Sequence, residues 1–291
     1  MPDAPFDLRT IGGAVPIHRD VVLVSGPESI GFLQGQLSQD VDALAVGATA
    51  RSLLLQPTGK VEAWLRATRL EDDTVLLDVD EGAGEAVLAR LRRFKLRTKV
   101  DLEGAVWSGF AVRGVADDVG VEGGDRVQVL PAGWPGVVGS DVLAPSGVTI
   151  GVPAVSRDAL EALRVEAGVP AIGAEITLDT IPAELGQWLI DASVSFTKGC
   201  YTGQELVARI DSRGGNVPRP LRGLRVDGPV PGVGADLVLD GKVVGAVTSS
   251  ATSAALGSIA LAPIARSVEV GATVSVGEGA VPAVVAELPL L

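Results

Sequence analysis

Cysteine and histidine are nearly absent from this chain, with Cys200 and His18 the single representatives among 291 residues. One thiol excludes an internal disulfide. One thiol with one imidazole excludes the zinc sets built from several His and Cys ligands, so His18 reads as a surface or core residue. Long apolar runs are also missing. None approaches the roughly 18 residues of a membrane span. The start, Met1-Pro-Asp-Ala-Pro-Phe-Asp7, lacks the basic and then apolar layout of a signal peptide, so a cytoplasmic protein that avoids membranes is expected. Positive charge is in deficit, 24 Lys and Arg against 36 Asp and Glu, for a formal charge of −12. That argues against non-specific attraction to nucleic acid or anionic lipid, which rests on clustered Lys and Arg.

What is present is organised around Phe196-Thr-Lys-Gly-Cys-Tyr-Thr-Gly-Gln-Glu-Leu-Val-Ala-Arg209. Thr202 and Glu205 have the spacing of a capping box and predict a helix from about Gly203 to Ile210. Gly199 and Gly203 leave the thiol unshielded. A helix N-terminus and Lys198 nearby favour thiolate, so Cys200 reads as reactive or ligating, with the buried small hydrophobe as the alternative.

Lys198-Gly-Cys-Tyr-Thr-Gly-Gln-Glu205 followed by Arg209 resembles the signature of the YgfZ-type folate-binding proteins, relatives of the glycine cleavage T protein, an aminomethyltransferase. Gln34-Gly-Gln-Leu-Ser-Gln-Asp-Val41, Leu91-Arg-Arg-Phe-Lys-Leu-Arg-Thr-Lys-Val100, Arg164-Val-Glu-Ala-Gly-Val-Pro170 and Val244-Gly-Ala-Val-Thr-Ser249 follow the family's order, so the similarity spans nearly the whole chain.

The length suits two or three small domains. Val21–Val24, Arg51–Gln56, Lys60–Leu70 and Thr74–Val79 read as strands, and a helix is expected from Ser25-Gly-Pro-Glu28 to about Leu37. Gly82-Ala-Gly84 lacks the third glycine of a dinucleotide loop and opens a helix through Leu88, Leu91 and Phe94. Residues 104–150 predict short strands and loops. Ser156 predicts the N-cap of a helix that stops at Gly168, with Arg164 and Glu166 on different faces because they are two apart. Pro182–Leu189 predicts one short helix. The polar run Asp211–Pro220 marks a boundary, and Asp240-Gly241 between apolar β-formers predicts a hairpin in a small antiparallel β-barrel without helices.

The fold class expected is therefore α+β, with residues 1–215 forming a folate-binding region and 216–291 the barrel. The T-protein resemblance implies two intertwined lobes in the first region, closed with the barrel around a central pocket. It would bring the cysteine stretch, the Arg164 helix and the basic segment Arg90–Lys99 around one cavity. The ligand implied is tetrahydrofolate or a one-carbon derivative. Cys200 and Lys198 are the catalytic candidates, and Arg97, Arg164, Glu166, Tyr201, Gly203, Gln204, Glu205 and Arg209 the folate-binding ones; Trp64 also suits a pterin wall. The basic segment reads either as a solvated helix face or as a docking site, for a small polyanion such as a folate glutamate tail or for a partner's acidic surface. The function implied is support of iron–sulfur enzymes, including the one that thiolates tRNA, with those enzymes as partners. An aminomethyltransferase and a non-enzymatic folate-loaded scaffold are the alternatives. At Gly59-Lys-Val-Glu-Ala-Trp64 the T protein carries adjacent aspartates, one of them catalytic, and this chain has Glu62 and Ala63.

Overall fold

The computed structural model describes residues 5–116, 119–212 and 214–291. After a short helix α1 (Leu8–Ile11), β1 (Gly13–Ser25) leads into α2 (Ser29–Gln36), then β2 (Thr49–Leu55), β3 (Val61–Glu71), β4 (Thr74–Asp80) and α3 (Gly84–Lys95). There follow β5 (Asp101–Arg113), β6 (Gln128–Pro131) and β7 (Gly139–Ala144). These seven strands form one antiparallel sheet in the order β2-β3-β4-β1-β5-β7-β6, with β1 shared between its two halves. On one face α2 and α3 bury Phe32, Leu33, Val87 and Leu91 against Val22, Val24, Leu65 and Leu77. The alternation of side chains along a strand sends Arg19, Arg66 and Asp78 to the other face.

The chain then returns across that other face. Helix α4 (Arg157–Ala167) packs Val165 on Leu221, Ile259 and Leu261 of the last segment and Leu163 on Leu8, whereas a 3₁₀ turn (Pro182–Leu185), α5 (Gln187–Ser193) and α6 (Gln204–Asp211) follow the second half of the sheet in sequence but pack back on the first. Val61 N–H donates to Thr180 and Ser195 N–H to Ser38. Trp64, Leu53 and Leu55 share a core with Leu185, Leu189, Ile190, Tyr201 and Val207. This return interlocks the two lobes and bears out the expected α+β architecture.

The last segment holds β8 (Leu221–Val226), β9 (Asp236–Leu239), β10 (Lys242–Ala246), β11 (Ser249–Ser253), β12 (Gly257–Pro263), β13 (Thr273–Val276) and β14 (Val281–Ala286). They pair antiparallel in the order β10-β9-β13-β14-β8-β12-β11, and a bridge from Gly245 to Ile264 draws β10 towards β12 into a barrel. Asp240 and Gly241 take φ of 51° and 74°, the double positive φ of the tight turn that the sequence predicts.

Two local expectations change. Residues 104–113 belong to the 13-residue strand β5 rather than to a short one. Gly109 is required there, because a Cβ would fall 1.7 Å from the Val142 carbonyl oxygen of β7. The stretch Pro182–Leu189 is split in two at Gly186, whose φ of 107° no helix accommodates. Of the boundary run Asp211–Pro220, Arg213 lies outside the described residues.

Candidate functional site

A cavity of about 380 Å³ lies between the face of the sheet opposite α2 and α3 and helix α4. Its walls include Ile17, Trp64, Trp134, Leu160, Val169 and Ile172, and its polar lining Arg19, Arg51, Asp80, Arg113, Asp141, Arg157, Glu161 and Arg164. The charged floor is assembled by strand register. Arg66 stands opposite Asp78 across β3 and β4, and Arg19 opposite Asp80 across β1 and β4. Arg66 reaches Asp78 at 2.6 Å and Asp141 at 2.7 Å, Arg113 reaches Asp141 at 2.9 Å, and Arg19 pairs with both Asp78 and Asp80.

Arg66, Arg113, Asp78 and Asp141 are out of water, so each depends on its partners, while Asp80 is half-buried at the edge of the set. Burial opposes ionisation of Asp78 and Asp141. The guanidiniums outweigh it, Arg66 and Arg19 at Asp78 and Arg113 and Arg66 at Asp141, and hold both carboxyls below their usual range. Arg66 is raised in turn by the two aspartates, against its own burial. Arg51 differs: it makes no ion pair among the described residues, donates to the Ala132 carbonyl at 2.8 Å and lies 4.3 Å over the Trp64 ring. Burial, with Arg66 and Arg19 nearby, pushes it down to about 9. Arg113 lies over Trp134 in the same way, at 4.3 Å.

Arg164 forms the rim. It forks onto Glu161 at 2.6 and 2.8 Å, and donates to Val169 O at 2.6 Å, Glu175 at 3.2 Å and the barrel's Ser249 hydroxyl at 2.6 Å. Its helix is built as the sequence predicts, with the Ser156 hydroxyl accepting from Ala159 N–H and Gly168 closing it in the left-handed conformation.

The cysteine loop lies elsewhere. Cys200 is exposed and is not among the cavity-lining residues. The Lys198 ammonium donates to the carbonyls of Gln34, Leu37 and Gln39 at 2.7, 2.7 and 2.9 Å, which uses all three of its N–H groups on the end of α2. Burial pushes it down to about 8, and Asp40 opposes this. The capping box does not form: Thr202 donates to Gly35 O, the N-cap is Gly203 at φ 83°, and Gln204 accepts from Tyr201 N–H instead. Gly203 is pressed onto the β2–β3 turn, where a Cβ would meet Gln56 O at 2.5 Å.

The structure thus distributes the expected folate-binding residues. Arg164 and Trp64 line the cavity. Glu166, on another face of α4, is buried, and its carbonyl accepts from Leu290 N–H. Tyr201 is packed in the core with Trp64, and burial raises its phenol to about 12. Gly203, Gln204, Glu205 and Arg209 lie on or beside α6, and Arg97 is exposed beyond the end of α3, on the far face of the sheet. The expectation that the cysteine stretch, the Arg164 helix and the basic segment share one cavity is corrected: the Arg164 helix alone lines it. Glu62 is likewise absent from the cavity, its carboxylate 3.3 Å from Arg90 of α3. The residues missed are Arg19, Arg51, Arg66, Arg113, Asp78, Asp80, Asp141 and Trp134. The signal available was charge within apolar strands, as in Trp64-Leu-Arg66 and Leu77-Asp78-Val79-Asp80.

A sequence profile of the glycine cleavage T-protein C-terminal barrel domain matches residues 219–291. The fold is similar to the crystal structure of glycine cleavage system aminomethyltransferase T from Bartonella henselae, with a TM-score of 0.79 over 98% of this chain and 88% of that one at 21% identity. In sequence the chain is 29% identical to the tRNA-modifying protein YgfZ of Edwardsiella ictaluri over 73% of this chain and 69% of that protein. It is 26% identical to an aminomethyltransferase of Lysinibacillus sphaericus over 80% of this chain and 72% of that one. The barrel profile and these relatives support a YgfZ-type relative of the glycine cleavage T-protein family, and the structural likeness supports its fold. Within that relationship the hairpin residue Glu62 is tied to a helix outside the cavity, and the lysine of the cysteine signature is committed to backbone carbonyls.

Proposed function

We propose that this chain binds a reduced folate in the central cavity and supports assembly or repair of iron–sulfur enzymes in the cytoplasm, including those that thiolate tRNA, through Cys200. The position of Glu62 carries the reading. A carboxylate 3.3 Å from Arg90 is in place to stabilise α3 against β3 and is out of place to handle a proton at a ligand in the cavity, which leaves binding without aminomethyl transfer. The residues present fit a folate. The cavity falls within the roughly 300–1,000 Å³ of small-molecule sites. Trp64, Trp134, Leu160 and Ile172 supply apolar walls, Asp80 and Glu161 could accept from pterin N–H groups, and Arg51 and Arg157 could meet carbonyl or carboxylate oxygens. A bound reduced folate would supply a carrier for one-carbon units.

Cys200 cannot hold a four-thiolate cluster by itself. Exposed on a loop outside the cavity, it could provide one thiolate ligand in transit or react with a client's sulfur species. The related aminomethyltransferases favour a second reading, in which the chain forms methylenetetrahydrofolate from an aminomethyl-lipoyl carrier. One pair of measurements separates the two. Calorimetry should show tetrahydrofolate binding in the micromolar range, roughly −8 kcal/mol, to the wild type and to Cys200→Ser alike. In a deletion strain the wild type should restore cluster-enzyme activity and Cys200→Ser should not. Absence of binding heat, rescue by the serine variant, or robust aminomethyl transfer would each overturn the proposal.

A further inference from the structure

A quarter of the chain's cations, six of 24 Lys and Arg, fall between Arg90 and Lys99, in a stretch with no Asp or Glu. Arg90 is turned inward, to Glu62 and to the Gln36 side chain. Arg92, Arg93, Arg97 and Lys99 are exposed and their side chains make no ion pair among the described residues, while Lys95 has only the exposed Asp101 at 4.0 Å. Leu96 stands among them with 88% of its surface in water and a φ of 47°, a conformation that residues other than glycine rarely adopt. Leu96 follows the last residue of α3 directly, so it stands at the end of the turn that carries Arg92 and Arg93. This ridge follows α3, on the opposite face of the sheet from the cavity, and none of its residues is among those lining the cavity.

Its place relative to the thiol follows from α2. Beside the N-terminus of α2, Glu28 accepts from Lys99 N–H, and at the C-terminus Gly35, Leu37 and Gln39 carry the cysteine loop through Thr202 and Lys198. Eight helical residues span about 12 Å, so the ridge and Cys200 bracket one short helix. We infer that Arg92, Arg93, Leu96, Arg97 and Lys99 dock an acidic segment of a partner protein that inserts one apolar side chain beside Leu96, and so bring that partner within reach of Cys200. The inference rests on the proposed role of the thiol only for its last step. The local cluster of cations attracts an acidic segment, and a solvated leucine at its centre matches a protein side chain better than a phosphate, which favours protein over RNA. Six extended residues, about 20 Å, suffice to cover ridge and loop.

The probe is a twelve-residue peptide of Glu and Asp with a central Leu, ending in a pyridyl disulfide. Exchange with Cys200 forms the mixed disulfide and releases pyridine-2-thione, which is followed optically. The acidic peptide should react about tenfold faster than its Gln and Asn counterpart. The advantage should vanish in the Arg92→Glu, Arg93→Glu, Arg97→Glu variant and in about 0.5 M NaCl, where screening shortens electrostatic reach to about 4 Å. Leu96→Ala should reduce it about threefold, as expected for lost apolar burial. An uncharged small disulfide should react equally with every variant. Equal rates for acidic and neutral peptides overturn the inference, as does displacement of the peptide by a twelve-nucleotide RNA or anionic vesicles at lower concentration. A wild-type thiol inert even to the small reagent would sink the role of Cys200. The ridge would then be judged by anisotropy of a labelled, unreactive acidic peptide on Cys200→Ser, where no binding overturns it.

Discussion

The two regions of the molecule differ in what they bury. The buried charged side chains among the described residues, Arg66, Asp78, Arg90, Arg113, Asp141, Glu166 and Glu175, all precede residue 176, while the polar residues buried in the barrel are Ser249 and Ser253. The barrel core of Leu224, Leu237, Ile264, Val274 and Val285 is apolar throughout. An apolar core is the cheaper way to hold a fold, because a desolvated ion pair often repays no more than its own solvation loss. A charged floor beneath a cavity therefore argues for a role in binding, and a plain core for a role in support. The regions meet where the barrel's Thr248 and Ser249 hydroxyls donate to Glu175 at 2.7 and 2.6 Å, beside Arg164.

The largest effect that tests this contrast is expected at Asp141. Asp141→Ala leaves Arg66 and Arg113 without a shared carboxylate and should destabilise the chain by about 3–5 kcal/mol, read from urea unfolding. A loss below about 1 kcal/mol would mean that the floor is hydrated and the contrast is false. The pH dependence has a definite sign. The folded values of Asp78 and Asp141 are depressed, so their contribution is complete above the unfolded carboxylate value of about 3.9 and is lost as pH falls through the folded values. Wild-type stability should drop steeply below about pH 4, and Asp141→Ala should drop less.

Leu224→Ala in the barrel should cost about 3 kcal/mol through cavity formation, yet leave folate affinity per folded molecule unchanged. A parallel loss of affinity would give the barrel more than a supporting role. The smallest effect is expected at the seam. Ser249→Ala removes donors and acceptors from Arg164 and Glu175 and should cost about 1 kcal/mol. It should also weaken ligand binding severalfold by loosening Arg164; an unchanged affinity would show that Glu161, Glu175 and the Val169 carbonyl suffice to position that arginine.

Local chemistry made much of the fold legible. Ser156 and Gly168 bound α4 because a hydroxyl satisfies an orphan N–H and glycine accepts left-handed backbone, and neither needs a distant partner. Asp240-Gly241 closes its hairpin for the same kind of reason. Thr202 and Glu205 misled because the Thr202 hydroxyl is used across the fold, on Gly35 O, and a capping pattern carries no information about a competing acceptor 167 residues away.

By itself the sequence determined the periodicities, the turns, the single thiol and the basic stretch, all of which are properties of neighbours along the chain. Tertiary structure alone decided which charges meet. Arg66 and Asp78 face each other because β3 and β4 pair in one register, and Asp141 joins them from a strand more than sixty residues on. The same packing turned Glu62 to Arg90, put Arg97 on the far face of the sheet and left Cys200 outside the cavity. A strand shows its alternation in its own residues, but its neighbour and register are set by burial summed over the whole sheet, and the cavity exists only once that sum is made.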